Sequence, residues 1–173
     1  MWWLAEVRVD AGLLARLQRL VVFFSILIPA SAHANEEVVQ APDYELAQIR
    51  LTPANSTTPI AFSVKLAVTP TQHAFGLMFS PPLPAKSGML FVFEDMKPRT
   101  FWMKNTPIAL DMLFFDDKGQ LVNAIENVPP QTLESRRSAA PARYVLELKG
   151  GSVARHGIKS AARLLLPAGL QPD

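Results

Sequence analysis

Apolar and polar residues alternate along much of the chain with a period of two, which predicts strands. From Ile60 to Val68, the residues Phe62, Val64, Leu66 and Val68 fall on one side and Ala61, Ser63, Lys65 and Ala67 on the other. Leu46 to Leu51, Met89 to Phe93, Thr100 to Met103, Ala109 to Phe115, Gln120 to Ile125, Tyr144 to Leu148 and Leu164 to Leu166 also read as strands. Two short helices interrupt them. Thr69 to Gln72 supplies a capping Thr, a Pro suited to the first helical position and a Gln three residues after the Thr, with Gly76 as a stop. Gly150-Gly151-Ser152 offers a turn and a cap for a second helix to His156, ended by Gly157. Asp116 to Gly119 reads as a hairpin turn. Ser80 to Pro84 reads as an extended loop, and the polar stretch Asn127 to Ala142 as the longest loop. Consecutive strands with two short helices predict an α+β fold on an antiparallel, barrel-like sheet rather than alternating βαβ units.

The first 34 residues follow a different pattern. Arg8, Arg16 and Arg19 precede the apolar run Leu20 to Ile28, which ends at Pro29 and Ser31-Ala32-His33-Ala34. That is the order of a signal peptide, with cleavage expected after Ala34. An uncleaved anchor would need about 20 apolar residues, and extending this run upstream meets Arg19 at once. The basic leader is long for its type, which would suit a start codon downstream of Met1. The expected location is therefore periplasmic or secreted, with no stable membrane span after cleavage. Asn35 to Glu45 reads as a flexible lead-in, and residues 46–173 as a single globular domain.

Composition then removes whole classes of function. The sequence has no Cys, so thiol catalysis and Cys-ligated metals are excluded and no disulfide can hold the domain. Beyond the leader only His73 and His156 remain, too few for a His-based metal site without several carboxylates, so no metal and no cofactor is expected. Setting aside the three arginines and two acids of the leader leaves 14 basic against 13 acidic side chains. Nucleic-acid domains gather basic residues on one face, and here Arg136-Arg137 is the only adjacent basic pair, so no nucleic-acid partner is expected. Phosphate loops, nucleophile elbows and paired-His zinc motifs are absent from the sequence.

The candidate chemistry lies in polar residues set among apolar strands. Asp111 shares a strand face with Ala109, Leu113 and Phe115, where a carboxylate needs a cation or donors. It is either a structural Asp satisfied by backbone N–H groups or Lys104, or a base or ligand anchor. Glu147, between Leu146 and Leu148, raises the same question and could pair with Asp111, because two carboxyls can divide acid and base roles. Trp102 and Lys104 share a face, with Met103 opposite; Trp102 is either core or a platform for a ring-shaped ligand whose polar groups Lys104 and Asn105 bind. Asn105-Thr106-Pro107 reads as a turn and His73 as a surface or packed residue. Asn55-Ser56-Thr57 fits the glycosylation acceptor pattern.

Several blocks carry a resemblance: Gly76-Leu77-Met78-Phe79, Gly88-Met89-Leu90-Phe91-Val92-Phe93, Phe101-Trp102-Met103-Lys104-Asn105-Thr106, Leu110-Asp111, Tyr144-Val145-Leu146-Glu147-Leu148 and Gly157-Ile158-Lys159. Together they resemble domain-of-unknown-function family 192, which is widespread in bacteria and archaea and often exported. The resemblance implies a compact α+β fold with a curved, barrel-like sheet, and no agreed activity or catalytic residues. The chain departs from the pattern at Ser80, where Arg is usual, and at Ala161-Ala162, where Gly-Asp is usual. If that Arg normally pairs with a carboxylate, the site here is less basic and suits an anionic ligand less well. The expectation is an exported domain that binds a small polar ligand or an envelope partner through Trp102, Lys104, Asn105, Asp111 and Glu147. The alternative is a carboxylate-dependent hydrolase or lyase acting on an envelope component, which needs Asp111 and Glu147 in one cleft.

Overall fold

The computed structural model describes residues 40–167 together with 169 and 170. The expected signal peptide and residues 35–39 of the lead-in lie outside the described residues. Among the described residues, nine strands and two short helices follow in the order β1 (Glu45–Thr52), β2 (Ile60–Ala67), α1 (Pro70–Phe75), β3 (Ser87–Lys97), β4 (Thr100–Phe101), β5 (Leu110–Phe115), β6 (Leu121–Val128), β7 (Arg136–Arg137), β8 (Ala142–Lys149), α2 (Ser152–His156) and β9 (Arg163–Leu165). Seven of the strands form one curled, half-barrel sheet in the order β6-β5-β8-β3-β2-β1-β9, and β4 pairs with β7 beside it. No helix among the described residues is long and apolar enough to cross a membrane.

The sheet is mixed, which corrects the antiparallel expectation. β2 and β3 run parallel, with Ser63 opposite Ser87 and Ala67 opposite Phe91. A parallel pair needs a crossover of a dozen or more residues, and the α1 segment with its Pro-rich loop supplies it. The two edges approach each other at one end: Gln120, just before β6, bridges Arg163 of β9, and the Leu164 N–H donates to the Gly119 carbonyl at 2.8 Å.

Curling gives the sheet two apolar faces. The inner face carries Ile49, Leu51, Phe62, Val64, Leu66, Leu90, Leu113, Phe115, Leu146 and Leu148 in one cluster. The outer face carries Ala67, Met89, Phe91, Leu110, Met112, Phe114 and Val145 in a second, together with Leu77 and Met103 from the segments laid over it. β5 is buried along its whole length because both of its faces are covered. Each large side chain fully buried in these clusters contributes about 1.5–3 kcal/mol.

α1 forms as its sequence predicts. Thr69 Oγ1 accepts from the Gln72 N–H, and the Gln72 side chain accepts from the Thr69 N–H, closing a capping box. Gln72 Nε2 also donates to the Asp43 carbonyl at 2.7 Å, and the Tyr44 hydroxyl donates to the Gly76 carbonyl at 3.1 Å, so α1 is tied to the chain just ahead of β1. The stretch Asn127 to Ala142 is not all loop: β7 lies within it and pairs with β4. The Met103 N–H donates to the Thr132 carbonyl and the Gln131 N–H to the Thr106 carbonyl, so this stretch braces the segment that carries Trp102 and Lys104.

Candidate functional site

A cavity of about 610 Å³ lies between the outer face of the sheet and the segments laid over it. α1 and the residues after it contribute His73, Phe75 and Met78, β3 contributes Phe91 and Phe93, residues 98–106 contribute Arg99, Phe101, Trp102 and Lys104, and β8 contributes Glu147. The cavity thus has aromatic walls, two cations and a single carboxyl.

Glu147 is 4% exposed, opposite Met89 of β3 and Met112 of β5. Neither neighbour can donate a hydrogen bond, and no donor or cation among the described residues pairs with the carboxyl. Burial alone pushes its pKa up to about 8, because removing water penalises the charged form. Its charge also helps to raise the pKa of Tyr44, second to the effect of burial.

The other polar groups of the cavity are more committed. His73 Nε2 lies 2.9 Å from the Ala67 carbonyl and 3.1 Å from the Val92 carbonyl, so it carries the proton. Its ring packs against Phe93 at 4.3 Å between centroids. The Arg99 guanidinium stacks over Phe93 at 3.8 Å, donates through Nε to the Ala142 carbonyl and pairs with Asp95. Lys97 and Arg99 hold the Asp95 carboxyl at a pKa of about 2. Lys104 Nζ sits 5.4 Å above the Trp102 ring and has no carboxylate partner among the described residues.

Trp102 is 51% exposed, so it is a surface ring at the cavity rather than core. β4 ends at Phe101, one residue before it, yet Met103 is still buried while Trp102 and Lys104 lie outside. Asn105 lies in the following turn with φ 54°, and its carbonyl accepts from the Phe79 N–H at 2.8 Å. It shapes the segment without lining the cavity.

Asp111 does not reach this cavity. Its register partner is Leu148, an inner-face residue, whereas Glu147 is opposite Met112 on the outer face. The two carboxyls therefore point to opposite sides of the sheet, and the shared cleft needed for an Asp111–Glu147 acid and base pair does not form. Asp111 is instead satisfied by backbone: Oδ1 accepts from Asn127 N at 2.8 Å and Gly151 N at 3.1 Å, and Oδ2 from Val153 N at 2.7 Å. It caps α2 from a neighbouring strand. The expected local cap is absent, since Gly151 stands at the N-cap position and the Ser152 hydroxyl donates to the Lys149 carbonyl. Sequence reading missed His73, Arg99 and the aromatic wall, whose only signal was the density of Phe in β3 and around Trp102.

Comparison with known proteins agrees with this architecture. The model of domain-of-unknown-function family 192, described as uncharacterised ACR, matches residues 51–166. The chain belongs to this family. Two solved structures are similar to it. One is a protein from Sinorhizobium meliloti 1021 named as a candidate transcription regulator, 37% identical, covering 72% of this chain and 96% of its own, with a TM-score of 0.69. The other, of unknown function, comes from Novosphingobium aromaticivorans DSM 12444 and is 30% identical, covering 74% of this chain and 94% of its own, with a TM-score of 0.67. No curated protein matches the chain.

Proposed function

We propose that this family 192 protein is an exported binding domain that takes a small polar ligand in the cavity above Glu147. The observation that carries the reading is Glu147, a 4% exposed residue whose carboxyl lines the cavity with no hydrogen-bond donor among the described residues. A buried carboxyl without a partner costs stability, and a ligand that supplies the missing donor recovers part of that cost. Trp102, exposed beside Lys104, offers a ring face at the same cavity. Asp111 and Asn105 belong to the scaffold in this reading. Nucleic acid is left out, because basic and acidic side chains nearly balance and no basic run is present beyond Arg136-Arg137. The regulator name of the Sinorhizobium meliloti protein is therefore not extended to this chain.

The test is thermal shift of the full chain against sugars, peptidoglycan fragments, nucleotides and metal ions. A saturable rise in Tm that is lost in Glu147→Gln, weakened in Trp102→Phe and kept in Asn105→Ala is expected. Silence across the panel, or a response indifferent to Glu147 and Trp102, would remove the reading. Export is tested by N-terminal sequencing of the protein recovered from the periplasm or medium of a bacterial host, where the chain should begin at Asn35.

A further inference from the structure

Resting on the reading of this cavity as a ligand site, we propose that its ligand is a small organic cation whose ammonium or guanidinium group seats against Glu147 between aromatic rings. No cation among the described residues forms an ion pair with Glu147. Arg99 is held by Asp95, by the Ala142 carbonyl and by the face of Phe93. Lys104 is exposed over Trp102, and Lys65, on β2 opposite Met89, sits over Tyr44 at 5.5 Å.

The walls favour the same charge as the floor. Phe75, Phe91, Phe93, Phe101 and Trp102 all line the cavity, and Phe91 meets Phe101 edge-on at 4.9 Å. Ring faces carry negative partial charge and attract cations, and an attraction between opposite charges strengthens where water is excluded. An anionic ligand would set its negative charge against that of the carboxyl and of the ring faces. A neutral polyol could bond to the carboxyl but would leave the electrostatic preference of the rings unused. Lys104, without a carboxylate partner, can take an acidic group at the far end of the ligand, so amino acids fit as well as simple amines.

Binding a cation here ionises Glu147 and releases its proton. The titratable and charged groups around it are Tyr44 ahead of β1, Lys65 of β2, His73 of α1, Arg99 of the β3–β4 turn and Lys104 after β4; β5 presents the uncharged Met112. The Glu147→Gln variant separates the carboxyl's titration from theirs.

The experiment is calorimetry on the full chain with two matched sets of probes: phenethylamine, phenethyl alcohol and 3-phenylpropanoate, then glucosamine, glucose and glucuronate. In at least one set the amine should bind about tenfold or more tightly than its neutral and anionic partners. Below about pH 8 its affinity should rise by about tenfold per pH unit, since the carboxyl must give up its proton. Glu147→Gln should lose both the preference and the slope without a lower Tm, and Trp102→Leu should weaken the amine about threefold while leaving the fold intact. Neutral or anionic probes that bind as well as the amines, or a preference that survives Glu147→Gln, would overturn the cation and leave the ligand site standing. Failure of all six probes to bind at about 10 mM would also overturn it, and the wider panel would then decide the binding reading separately.

Discussion

Asp111 and Glu147 sit one register position apart on neighbouring strands, yet they meet opposite physical conditions. Asp111 accepts three backbone N–H groups, so its charge is solvated by the protein and holds the start of α2 against the sheet. Asp111→Asn should cost about 2–3 kcal/mol and Asp111→Ala about 3–5 kcal/mol in denaturant unfolding, because buried donors lose a charged acceptor. Neither variant should change ligand response in whatever fraction remains folded. Glu147 has no such partners among the described residues, and its folded pKa of about 8 lies above the ordinary 4.5. The folded state therefore binds its proton more tightly than the unfolded state, and stability is lost as pH rises from about 4.5 towards about 8. Melts of Glu147→Gln should match the parent below this window and exceed it at the upper end, on the order of a few kcal/mol. A constant difference at all pH values would contradict the assignment.

At the level of elements, close approach decides which residues are permitted. Gly88 of β3 stands against β8 so tightly that an added Cβ would lie 2.2 Å from the Glu147 carbonyl. Gly88→Ala must push β3 from β8 beside the cavity floor, and a loss of about 2–4 kcal/mol is expected in unfolding experiments. α1 depends on its capping box, so Thr69→Ala should cost about 1 kcal/mol. Both elements were legible in the sequence for local reasons: the cap lies within four residues, and alternation marks Phe62, Val64 and Leu66 as an inner face. β7 was not legible, because two polar arginines form a strand only by pairing with β4, a partner more than thirty residues away.

For the whole molecule, closure of the sheet depends on one turn. Gly119 has φ 73°, and a Cβ there would stand 2.4 Å from the Leu164 carbonyl of β9. Gly119→Val should therefore both strain the Asp116–Gln120 turn and separate β9 from the start of β6, lowering stability by about 2–4 kcal/mol. Hydrogen exchange should report the loss first at Leu121 and Leu164, whose N–H groups make the closing bonds to Ala162 and Gly119. The sequence by itself determined the strands other than β7, the two described helices, the hairpin turn and the family, since each rests on neighbours along the chain or on short motifs. It also marked Trp102, Lys104 and Glu147 as unusual. Only the tertiary structure decided that β2 and β3 run parallel and that Asp111 caps a helix while Glu147 faces a cavity. Alternation assigns a residue to one of two faces, but what covers each face comes from distant segments: α2 over the inner side, α1 and the Trp102 segment over the outer. A carboxyl's partners depend on that covering, so its role cannot be read from its own strand.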